Sequence, residues 1–328
     1  MKAVFLGASA DSFARVYGPQ QREALAQRLD MDFSLHSSLQ DAALRDAEAA
    51  FSTWGMLQCS EAEIREYMPA LKAVYYAAGS VQYFARPFLQ CGVRVFSAWQ
   101  ANAVPVAQYT FAQIVLALKG FFPVQERMRA SRQDAKEIFG HYPGVFETKV
   151  GLLGCGAIGG RVAEMLRPLG IETLVFDPFL SPERAQALGV RKAEMADIFA
   201  QCAVVSNHLA NLPQTVGIIK REHFLSMPPY ATFINTARGA QLNEADLYDA
   251  LTQEPTRCAV LDVLTDEQQS DQNPLRALPN CFLTPHIAGS SGNEVHRMAN
   301  YMIDALDQAR QGLPCPYEVT LTMLETMA

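Results

Sequence analysis

The sequence has little that would tie it to nucleic acid, to a membrane or to an oxidising compartment. Its formal net charge is −7, from 27 Lys and Arg against 34 Asp and Glu residues, with no block of like charge. Nucleic-acid and anionic-membrane partners usually require a basic patch, so we expect neither. The seven cysteines form no Cys-x-x-Cys pair and no metal-like spacing. We therefore expect reduced thiols, no metal site and a cytoplasmic protein.

The sequence also lacks a low-complexity tract, an internal repeat and a long uninterrupted apolar run. The first seven residues have one charge and a very short apolar run, which is typical of a first strand rather than a signal peptide. The most apolar helix candidate, 111–122, is interrupted by Gln113 and Lys119 and is too short to span a membrane. The 328 residues, 49% of them hydrophobic, predict a globular protein of two domains.

The most informative motif is Gly154-x-Gly156-x-x-Gly159, which follows the apolar run 150–153. A helical pattern comes next, and a second short strand ends at Asp177. In such a unit the glycines make a tight turn, admit a pyrophosphate and let the helix pack on the sheet. The helix N-terminus favours the negative charge of the pyrophosphate. The order of these features predicts a dinucleotide site; the alternative is a glycine-rich turn without a ligand.

Asp177 indicates which dinucleotide binds. A carboxylate at this strand end can accept hydrogen bonds from the two adenosine-ribose hydroxyls, and it would repel a 2′-phosphate. No basic residue follows it before Arg184. The sequence therefore predicts NAD rather than NADP, although a solvated acid at a strand end is the alternative for Asp177.

Short apolar strands alternate with amphipathic helices along the whole chain, which predicts parallel sheets. In the first hundred residues we expect strands at 4–7, 50–55, 73–76 and 93–96, and helices at 19–29 and 61–68. A long helix is expected over 104–119, with Pro105 in its first turn. Further on we expect strands at 203–206, 231–235, 258–262 and 281–284, and helices at 243–253 and 292–312.

Because the glycine motif lies in the middle of the chain, the cofactor domain is inserted into another domain. We place the cofactor domain at 103–288 and the other domain at 1–102, completed by 289–328. The predicted fold class is α/β, with two doubly wound parallel-sheet domains. Ligands of such sheets bind at the carboxyl ends of the strands, so we expect the active site in the cleft between the domains.

Three segments at strand ends in the second half carry ionisable side chains. They contribute Arg238, then Asp262 with Glu267 close behind, and then His286. An isolated histidine is more often structural than catalytic, and Arg238 could belong to an ordinary surface ion pair. The Arg-Gly pair after a buried strand and the Thr-Pro-His-Ile-Ala-Gly context favour function for Arg238 and His286.

These segments resemble the D-isomer-specific 2-hydroxyacid dehydrogenase family. The matching stretches are VGLLGCGAIGGRVA, LVFDP, SNHLANLPQTVGII, FINTARGAQLNEADLYDAL, LDVLTDE, NPLRALPN and LTPHIAGSS. They cover essentially all of 104–296, whereas the first hundred residues match by layout alone. The resemblance implies a Rossmann NAD-binding domain inserted into a flavodoxin-like substrate domain.

The resemblance also implies the reaction, which is hydride transfer between NADH and the carbonyl of a 2-oxo acid. Arg238 would hold the substrate carboxylate and polarise the 2-oxo group. His286 would act as general acid and base, with Glu267 on its other ring nitrogen. Asp266 is the neighbouring rival of Glu267, and the spacing from Arg238 favours Glu267.

Cofactor and substrate contacts follow from the same resemblance. Asp262 would bind the nicotinamide carboxamide, with Thr236 beside it, and His208 and Thr215 would flank the pyrophosphate and ribose. For His208 a structural role is nearly as good an interpretation. The expected cofactor contacts are Gly154, Gly156, Ala157, Ile158, Gly159, Asp177, Pro178, His208, Thr215, Thr236, Ala237, Arg238, Asp262 and His286. The expected substrate contacts are Arg238, His286 and the backbone N–H groups of Ala78 and Gly79.

The segment 77–84 departs from the family, which commonly has a second glycine and an Asp-Asn pair here, so the substrate is open. The aromatic residues near this segment indicate either an apolar substrate pocket or ordinary core; they are Trp54, Tyr75, Tyr76, Tyr83, Phe84 and Trp99. A formate- or phosphite-type dehydrogenase is an alternative, but formate enzymes carry Gln in place of Glu267 and phosphite enzymes carry a Lys in this segment. An NAD(H)-sensing binding protein is the alternative outside enzymes. We also expect a homodimer, because the apolar helix near 104–122 should bury more surface than one monomer offers.

Overall fold

The computed structural model describes residues 1–327 and divides them into two compact units. Unit 1 contains residues 1–103 and 290–327, and unit 2 contains residues 104–289. The strands are β1 (Lys2–Leu6), β2 (Asp30–His36), β3 (Ala49–Ser52), β4 (Ala73–Tyr76), β5 (Arg94–Ser97), β6 (Lys149–Leu153), β7 (Glu172–Phe176), β8 (Arg191–Lys192), β9 (Val204–Asn207), β10 (Thr232–Asn235), β11 (Cys258–Leu261), β12 (Cys281–Leu283) and β13 (Glu318–Val319).

The α-helices are α1 (Ala10–Val16), α2 (Pro19–Ala26), α3 (Glu61–Tyr67), α4 (Ala85–Gln90), α5 (Trp99–Leu118), α6 (Phe121–Met128), α7 (Arg132–Phe139), α8 (Ala157–Leu166), α9 (Pro182–Leu188), α10 (Met195–Gln201), α11 (Arg221–Ser226), α12 (Glu244–Gln253) and α13 (Val295–Arg310). Short 3₁₀ helices lie at Ala42–Arg45, Arg167–Leu169, Pro213–Thr215, Gly239–Gln241, Ser270–Gln272, Pro274–Ala277, Gly292–Glu294 and Met323–Glu325.

Unit 1 is built on a six-stranded sheet in the order β13-β5-β4-β3-β1-β2. All its pairs are parallel except β13 with β5. Strands β1 to β5 therefore have the flavodoxin-like order. The strand β2 is added on one side of β1 and the strands β3 to β5 on the other, so the point at which the strand order reverses lies between β1 and β3. Helix α13 packs on one face of this sheet through Met298, Met302 and Leu306, which are buried with Phe5 and Tyr75.

Unit 2 is built on a seven-stranded parallel sheet in the order β12-β11-β10-β9-β6-β7-β8. This is the Rossmann order, and its reversal point lies between β6 and β9. Apolar clusters cover both faces, one around Phe199, Phe224 and Phe233 and the other around Ile114 and Leu166. The predicted α/β fold class, with two doubly wound parallel sheets, is confirmed.

Helix α5 differs from its sequence expectation. It begins at Trp99 rather than at residue 104, so Pro105 lies inside the helix instead of in its first turn. The added turn contains Ala101, which is buried in the core of unit 1, and this burial favours helix despite the proline. Helix α5 meets the length and composition of a membrane span, with a mean hydropathy of 1.2 and half of its window buried. A core helix passes the same test, so this is weak evidence for a membrane.

Most other elements lie within a few residues of their predicted positions. Helix α12 begins after Asn243, whose side chain accepts a hydrogen bond from the N–H of Ala245, as predicted for an asparagine cap. The predicted helix 292–312 is divided into a 3₁₀ turn and α13. The prediction omitted the strands β2, β8 and β13, which are short, exposed or at sheet edges and so lack a continuous apolar pattern. It also omitted seven helices of at most eight residues, namely α1, α4, α6, α7, α9, α10 and α11.

Candidate active site

The glycine motif lies at the carboxyl end of β6, and its three glycines have different surroundings. A Cβ at Gly154 would lie 2.8 Å from the carbonyl oxygen of His208, and the backbone there has a φ of +91°. A Cβ at Gly159 would lie 2.1 Å from the carbonyl oxygen of Gly154, so this glycine lets α8 approach the strand. A Cβ at Gly156 would meet no described atom within 4 Å. The motif therefore combines two close backbone contacts with open space at its centre.

The N-terminus of α8 is suited to an anion. Gly156 precedes the helix without a side-chain cap, so the first N–H groups of α8, beginning at Ala157 and Ile158, gain no side-chain acceptor from it. Unpaired N–H groups and the helix dipole favour a phosphate at such a position. The open space at Gly156 and the uncapped helix together fit the pyrophosphate of a dinucleotide. Burial and the nearby charge of Asp177 raise the pKa of the Cys155 thiol to about 11, so at neutral pH it is protonated.

Asp177 comes directly after β7 and faces the glycine motif. Its carboxylate accepts hydrogen bonds from the N–H groups of Cys155 at 2.7 Å and Phe179 at 2.8 Å. One carboxylate has about four lone-pair sites, so acceptor capacity remains for ribose hydroxyls. Pro178 is exposed, and Arg184 pairs with Glu164 at 3.5 Å. The geometry agrees with an NAD site.

His208 lies at the end of β9, across the reversal point from the glycine motif. Its Nε2 lies 3.0 Å from the hydroxyl of Ser206, while Nδ1 is buried with no hydrogen-bond partner among residues 1–327. Burial lowers the pKa of His208 to about 3, so the ring is neutral at physiological pH. Thr215 is placed differently, because its hydroxyl donates to carbonyl groups of its own loop, at Ala210 and Leu212.

Arg238 follows β10 in a turn shaped by Asn235. The side-chain oxygen of Asn235 accepts from the N–H of Ala237, and its amide nitrogen donates to the carbonyl of Arg238 at 3.0 Å. The Arg238 side chain is half-buried; burial lowers its pKa, and the charge of Glu267 opposes this shift. An arginine remains protonated under these conditions. The turn therefore presents a partly desolvated cation close to Glu267.

Gly239 brings the Arg238 turn against the loop that carries Glu267. A Cβ at Gly239 would lie 2.1 Å from the backbone carbon of Leu264 and 2.2 Å from the nitrogen of Thr265. The loop is also held by Glu244, which accepts from the N–H of Thr265 at 2.6 Å and from the side-chain amide of Asn273 at 2.5 Å. Two independent contacts thus fix the acidic loop beside the arginine.

The structure pairs Glu267, and not Asp266, with His286. The Nδ1 atom of His286 lies 3.0 Å from both carboxylate oxygens of Glu267. Asp266 instead accepts from the N–H groups of Gln268 and Gln269 in its own loop. The side chains of His286 and Glu267 are 44% and 46% exposed, so the pair is open to solvent. With Nδ1 held by a carboxylate, Nε2 is the ring atom available to a reactant.

The loop after β12 is fastened by Asp262, which is 2% exposed. Its Oδ1 accepts from the hydroxyl of Thr284 at 2.6 Å and the N–H of Ile287 at 2.8 Å, and its Oδ2 accepts from the N–H of Ala288 at 2.9 Å. These three hydrogen bonds use three of the about four lone-pair sites of the carboxylate, so Oδ2 keeps one free for another donor such as a carboxamide. Thr236 is buried, and its hydroxyl lies 3.0 Å from that of Thr110 on α5.

In unit 1 the segment 77–84 is held by hydrogen bonds that side-chain hydroxyls donate to its carbonyl groups. The hydroxyl of Thr53 donates to the carbonyl of Ala77 at 2.9 Å, and that of Ser97 donates to those of Ala78 at 3.0 Å and Gly79 at 2.9 Å. No residue of the described chain accepts from the N–H groups of Ala78 or Gly79. Two adjacent free amides can bind a carboxylate through charge-assisted hydrogen bonds.

The aromatic residues near this segment separate into two groups. Tyr75, Tyr76 and Phe84 are at most 2% exposed and belong to the core. Tyr83 is 41% exposed, and Trp54 and Trp99 are half-buried. Of the two interpretations of this set, ordinary core therefore holds for the three buried members.

Several residues of the site carried no sequence signal. Asn207, Asn235 and Gln241 form a buried side-chain network behind the Arg238 turn, with Asn207 donating to the other two. Tyr109 of α5 lies 3.1 Å from the hydroxyl of Thr284. Amide side chains at the ends of adjacent strands β9 and β10 are the one feature that could have indicated the network in advance.

Sequence and structure comparisons agree with this architecture. A model of the NAD-binding domain of D-isomer specific 2-hydroxyacid dehydrogenases matches residues 111–288. D-3-phosphoglycerate dehydrogenase of Archaeoglobus fulgidus is 28% identical over 239 residues, which are 72% of this chain and 44% of that protein. The Mycobacterium bovis enzyme of the same name is 30% identical over 221 residues, 67% of this chain and 41% of its own length. The aligned region thus spans less than half of these relatives.

Solved structures extend the likeness to unit 1. The NAD complex of a D-isomer specific 2-hydroxyacid dehydrogenase from Lactobacillus delbrueckii ssp. bulgaricus superimposes with a TM-score of 0.77 at 18% identity. The superposition covers 98% of this chain and all of that one, and at this identity it shows a shared fold. Unit 2 carries the matched NAD-binding domain, and its glycine motif, Asp177 and His208 fit the cofactor. The chain therefore belongs to the D-isomer specific 2-hydroxyacid dehydrogenase family.

Proposed function

We propose that the protein is an NAD(H)-dependent dehydrogenase that interconverts a 2-oxo acid and a D-2-hydroxy acid. The observation that carries the proposal is the Glu267–His286 pair at 3.0 Å, beside the half-buried cation of Arg238. A carbonyl reduction needs a proton donor for the oxygen and a cation for the substrate carboxylate. These three side chains supply both in one place of unit 2.

His286 is the proton donor in reduction and the proton acceptor in oxidation. Glu267 holds Nδ1, so the exchangeable proton is on Nε2, and the carboxylate stabilises the imidazolium before the proton leaves. Arg238 pairs with the substrate carboxylate through its planar fork. When bound, NADH supplies the hydride for the carbonyl carbon, and the proton from Nε2 completes the alcohol.

The cofactor is held, in this proposal, by residues on both sides of the reversal point of the unit 2 sheet. The glycine motif and the start of α8 receive the pyrophosphate, and Asp177 receives the adenosine ribose. The free lone pair of Asp262 Oδ2 receives the nicotinamide carboxamide. The buried, unpaired Nδ1 of His208 supports a contact on the same side, because such an atom is otherwise costly to bury.

For unit 1 we propose that the free N–H groups of Ala78 and Gly79 bind a carboxylate of the substrate. The loops at the carboxyl edge of its sheet, 7–9, 53–58, 77–84 and 98–102, contain no Lys or Arg. A phosphate group usually requires such a cation. The substrate therefore has an uncharged side chain, in contrast to the phosphorylated acid in the name of the curated relatives. The exposed edge of Tyr83 favours an alkyl or aryl group.

The proposal is tested by following NADH oxidation with glyoxylate, pyruvate, branched, aryl and phosphorylated 2-oxo acids. We expect turnover that is fastest with an uncharged side chain and weak with 3-phosphohydroxypyruvate. Fastest turnover of the phosphorylated acid would overturn the substrate class alone. Tight NADH binding by fluorescence without turnover would favour an NAD(H) sensor, and NAD⁺ reduction by formate or phosphite would favour those rival reactions.

We also propose that the protein forms a homodimer, through residues 121–146, which include α6 and α7. The apolar helix near 104–122, expected to form the interface, is less suited to it, because half of the apolar window of α5 is already buried within the chain. Helix α6 has no buried residue in the monomer, and exposed apolar side chains continue along this region. They are Phe121, Met128, Phe139 and Phe146, which are 41% to 71% exposed. A second copy of the chain can cover these apolar side chains, because it is present in every preparation of the protein. Light scattering should give twice the chain mass; a monomer mass at all concentrations would refute the dimer.

A further inference from the structure

A chain of hydroxyl groups runs from helix α5 to the loop of His286. The Tyr109 hydroxyl lies 3.1 Å from that of Thr284, which lies 2.6 Å from Oδ1 of Asp262. The three residues come from α5, from the end of β12 and from the end of β11. Tyr109 and Thr284 are half-buried and Asp262 is buried, so the chain is largely shielded from water.

The direction of each hydrogen bond in this chain follows from its last member. A carboxylate only accepts, so Thr284 must donate its single hydroxyl proton to Asp262. The proton between Tyr109 and Thr284 then has to come from Tyr109. Tyr109 therefore donates to Thr284, and Thr284 donates to Asp262, in a fixed order that polarises both bonds.

Asp262 in turn fixes the backbone on both sides of the His286 ring. Its main-chain carbonyl accepts from the N–H of His286 at 2.9 Å, and its carboxylate accepts from those of Ile287 and Ala288. His286 has a φ of +57°, a left-handed conformation that few residues with a side chain adopt. Such a conformation persists only where the surroundings hold it.

We propose that Tyr109 is a positioning residue for His286, acting through Thr284 and Asp262. The inference rests on the proposed function, in which His286 Nε2 exchanges a proton with the substrate. Tyr109 restrains the side of Thr284 that faces α5, so the loop keeps one conformation and the ring keeps its place on Glu267. Thr110, the next residue of α5, contacts Thr236 in the Arg238 turn, so one helix turn supports both catalytic loops.

The test compares matched hydroxyl deletions. Tyr109→Phe and Thr284→Val remove the chain, whereas Thr284→Ser keeps its hydroxyl. Tyr248→Phe is the control, because no hydrogen bond of the Tyr248 hydroxyl is present within residues 1–327. We expect kcat to fall roughly five- to ten-fold in the first two variants, about the effect of one hydrogen bond. KM and NADH affinity should stay within about two-fold, since substrate and cofactor contacts are not removed.

A double-mutant cycle separates positioning of His286 from a general structural role. In a His286→Ala background Tyr109→Phe should cause no further loss of kcat, because the group it positions is gone. The same fractional loss in both backgrounds would overturn the inference. So would an unchanged kcat in Tyr109→Phe, or a Thr284→Ser variant as slow as Thr284→Val.

Hydrogen exchange tests, without any substrate, whether Tyr109 restrains the loop of His286. In Tyr109→Phe the amides of Ile287 and Ala288 should exchange faster than in wild type, while those of β6 should not change. Unchanged exchange at both amides overturns the inference even where turnover supports the proposed function. A wild-type protein that reduces no 2-oxo acid removes the proposed function, and with it the effect of Tyr109 on turnover, whereas the exchange result still tests whether Tyr109 restrains the loop.

Discussion

At the carboxyl edges of the two sheets, side chains form hydrogen bonds with opposite kinds of backbone group. In unit 1 the hydroxyls of Thr53 and Ser97 take up carbonyl groups and leave the N–H groups of Ala78 and Gly79 free. In unit 2 carboxylates take up N–H groups, as Asp262 does for Ile287 and Ala288. Segment 77–84 of unit 1 thus offers backbone amides, whereas the His286 loop of unit 2 offers a side chain and its amides are already used. The uncapped start of α8 is a separate part of unit 2 that keeps free N–H groups.

This difference explains why only one half of the molecule carries a recognisable sequence pattern. A site made of side chains requires particular residues, and unit 2 shows them at Arg238, Glu267 and His286. A site made of backbone amides requires only that the neighbouring carbonyl groups be held. Many sequences meet that condition, so the first hundred residues match the family by layout.

The largest expected effect concerns the side-chain half of the comparison. His286→Ala should lower kcat by at least ~10²-fold, the usual contribution of a general acid, while NADH affinity stays near normal. Single-turnover kinetics and NADH fluorescence measure the two quantities. His141→Ala, an exposed histidine that stacks on Tyr230, is the control and should keep full activity. An unchanged kcat in His286→Ala would remove the residue from the mechanism.

The pairing of Glu267 with His286 gives the next effect. Glu267→Gln keeps the shape but removes the charge that stabilises the imidazolium, so kcat for reduction should fall roughly thirty-fold. Asp266→Asn should stay within about two-fold, because an amide oxygen still accepts from Gln268 and Gln269. Equal losses in the two variants would show that the loop, and not the pair, matters.

Acid stability distinguishes unit 2 through His208. The unfolded residue binds a proton near its ordinary pKa of about 6.5, but the folded residue does so only near 3. The unfolded state therefore binds more protons as the pH falls from 6.5 towards 3, and stability falls with it. At pH 5 the loss should be about 2 kcal/mol relative to pH 7. Urea unfolding at both pH values should show this loss in wild type but not in His208→Gln.

The smallest expected effect concerns the free backbone amides of unit 1. Thr53→Ala and Ser97→Ala each release carbonyl groups of segment 77–84, so the amides lose their fixed direction. We expect KM for the 2-oxo acid to rise roughly five-fold, the scale of one hydrogen bond, with kcat little changed. Ser37→Ala, at an exposed position of unit 1 outside this segment, should have no effect, as the Ser37 hydroxyl bonds to no residue within 1–327. A fall in kcat alone would contradict a carboxylate-binding role for unit 1.

The sequence predicted the parts of the molecule that depend on local pattern. Apolar strands, the glycine motif and the asparagine cap of α12 are each legible in a few consecutive residues. The start of α5 was not, because Pro105 indicates a first turn and only the burial of Ala101 in unit 1 reveals the earlier one. Tertiary packing overrode a local preference at this point.

The supporting residues of the site were equally hidden from the sequence. Tyr109, Glu244 and Asn235 act on loops that are distant in sequence or depend on the exact turn, and none belongs to a spacing rule. In the sequence, Tyr109 is one more residue of an apolar helix, and Glu244 is an acid in a first helical turn, where the helix dipole stabilises it. Their contacts with Thr284 and Thr265 appear only once the strands are placed side by side.

The free amides of unit 1 have a consequence for how this protein could acquire new specificities. In the proposed function the anchor for the acid group is independent of the side chains of Ser80 and Tyr83, so these two positions can vary while the carboxylate is still bound. Val81 is buried, and the Gln82 side chain donates to the carbonyls of Leu324 and Met327, so these two positions are fixed by packing. A library randomised at positions 80 and 83 should yield variants that differ in preferred substrate side chain yet still require a 2-oxo acid. Laboratory evolution could then shift the substrate range without rebuilding the catalytic residues.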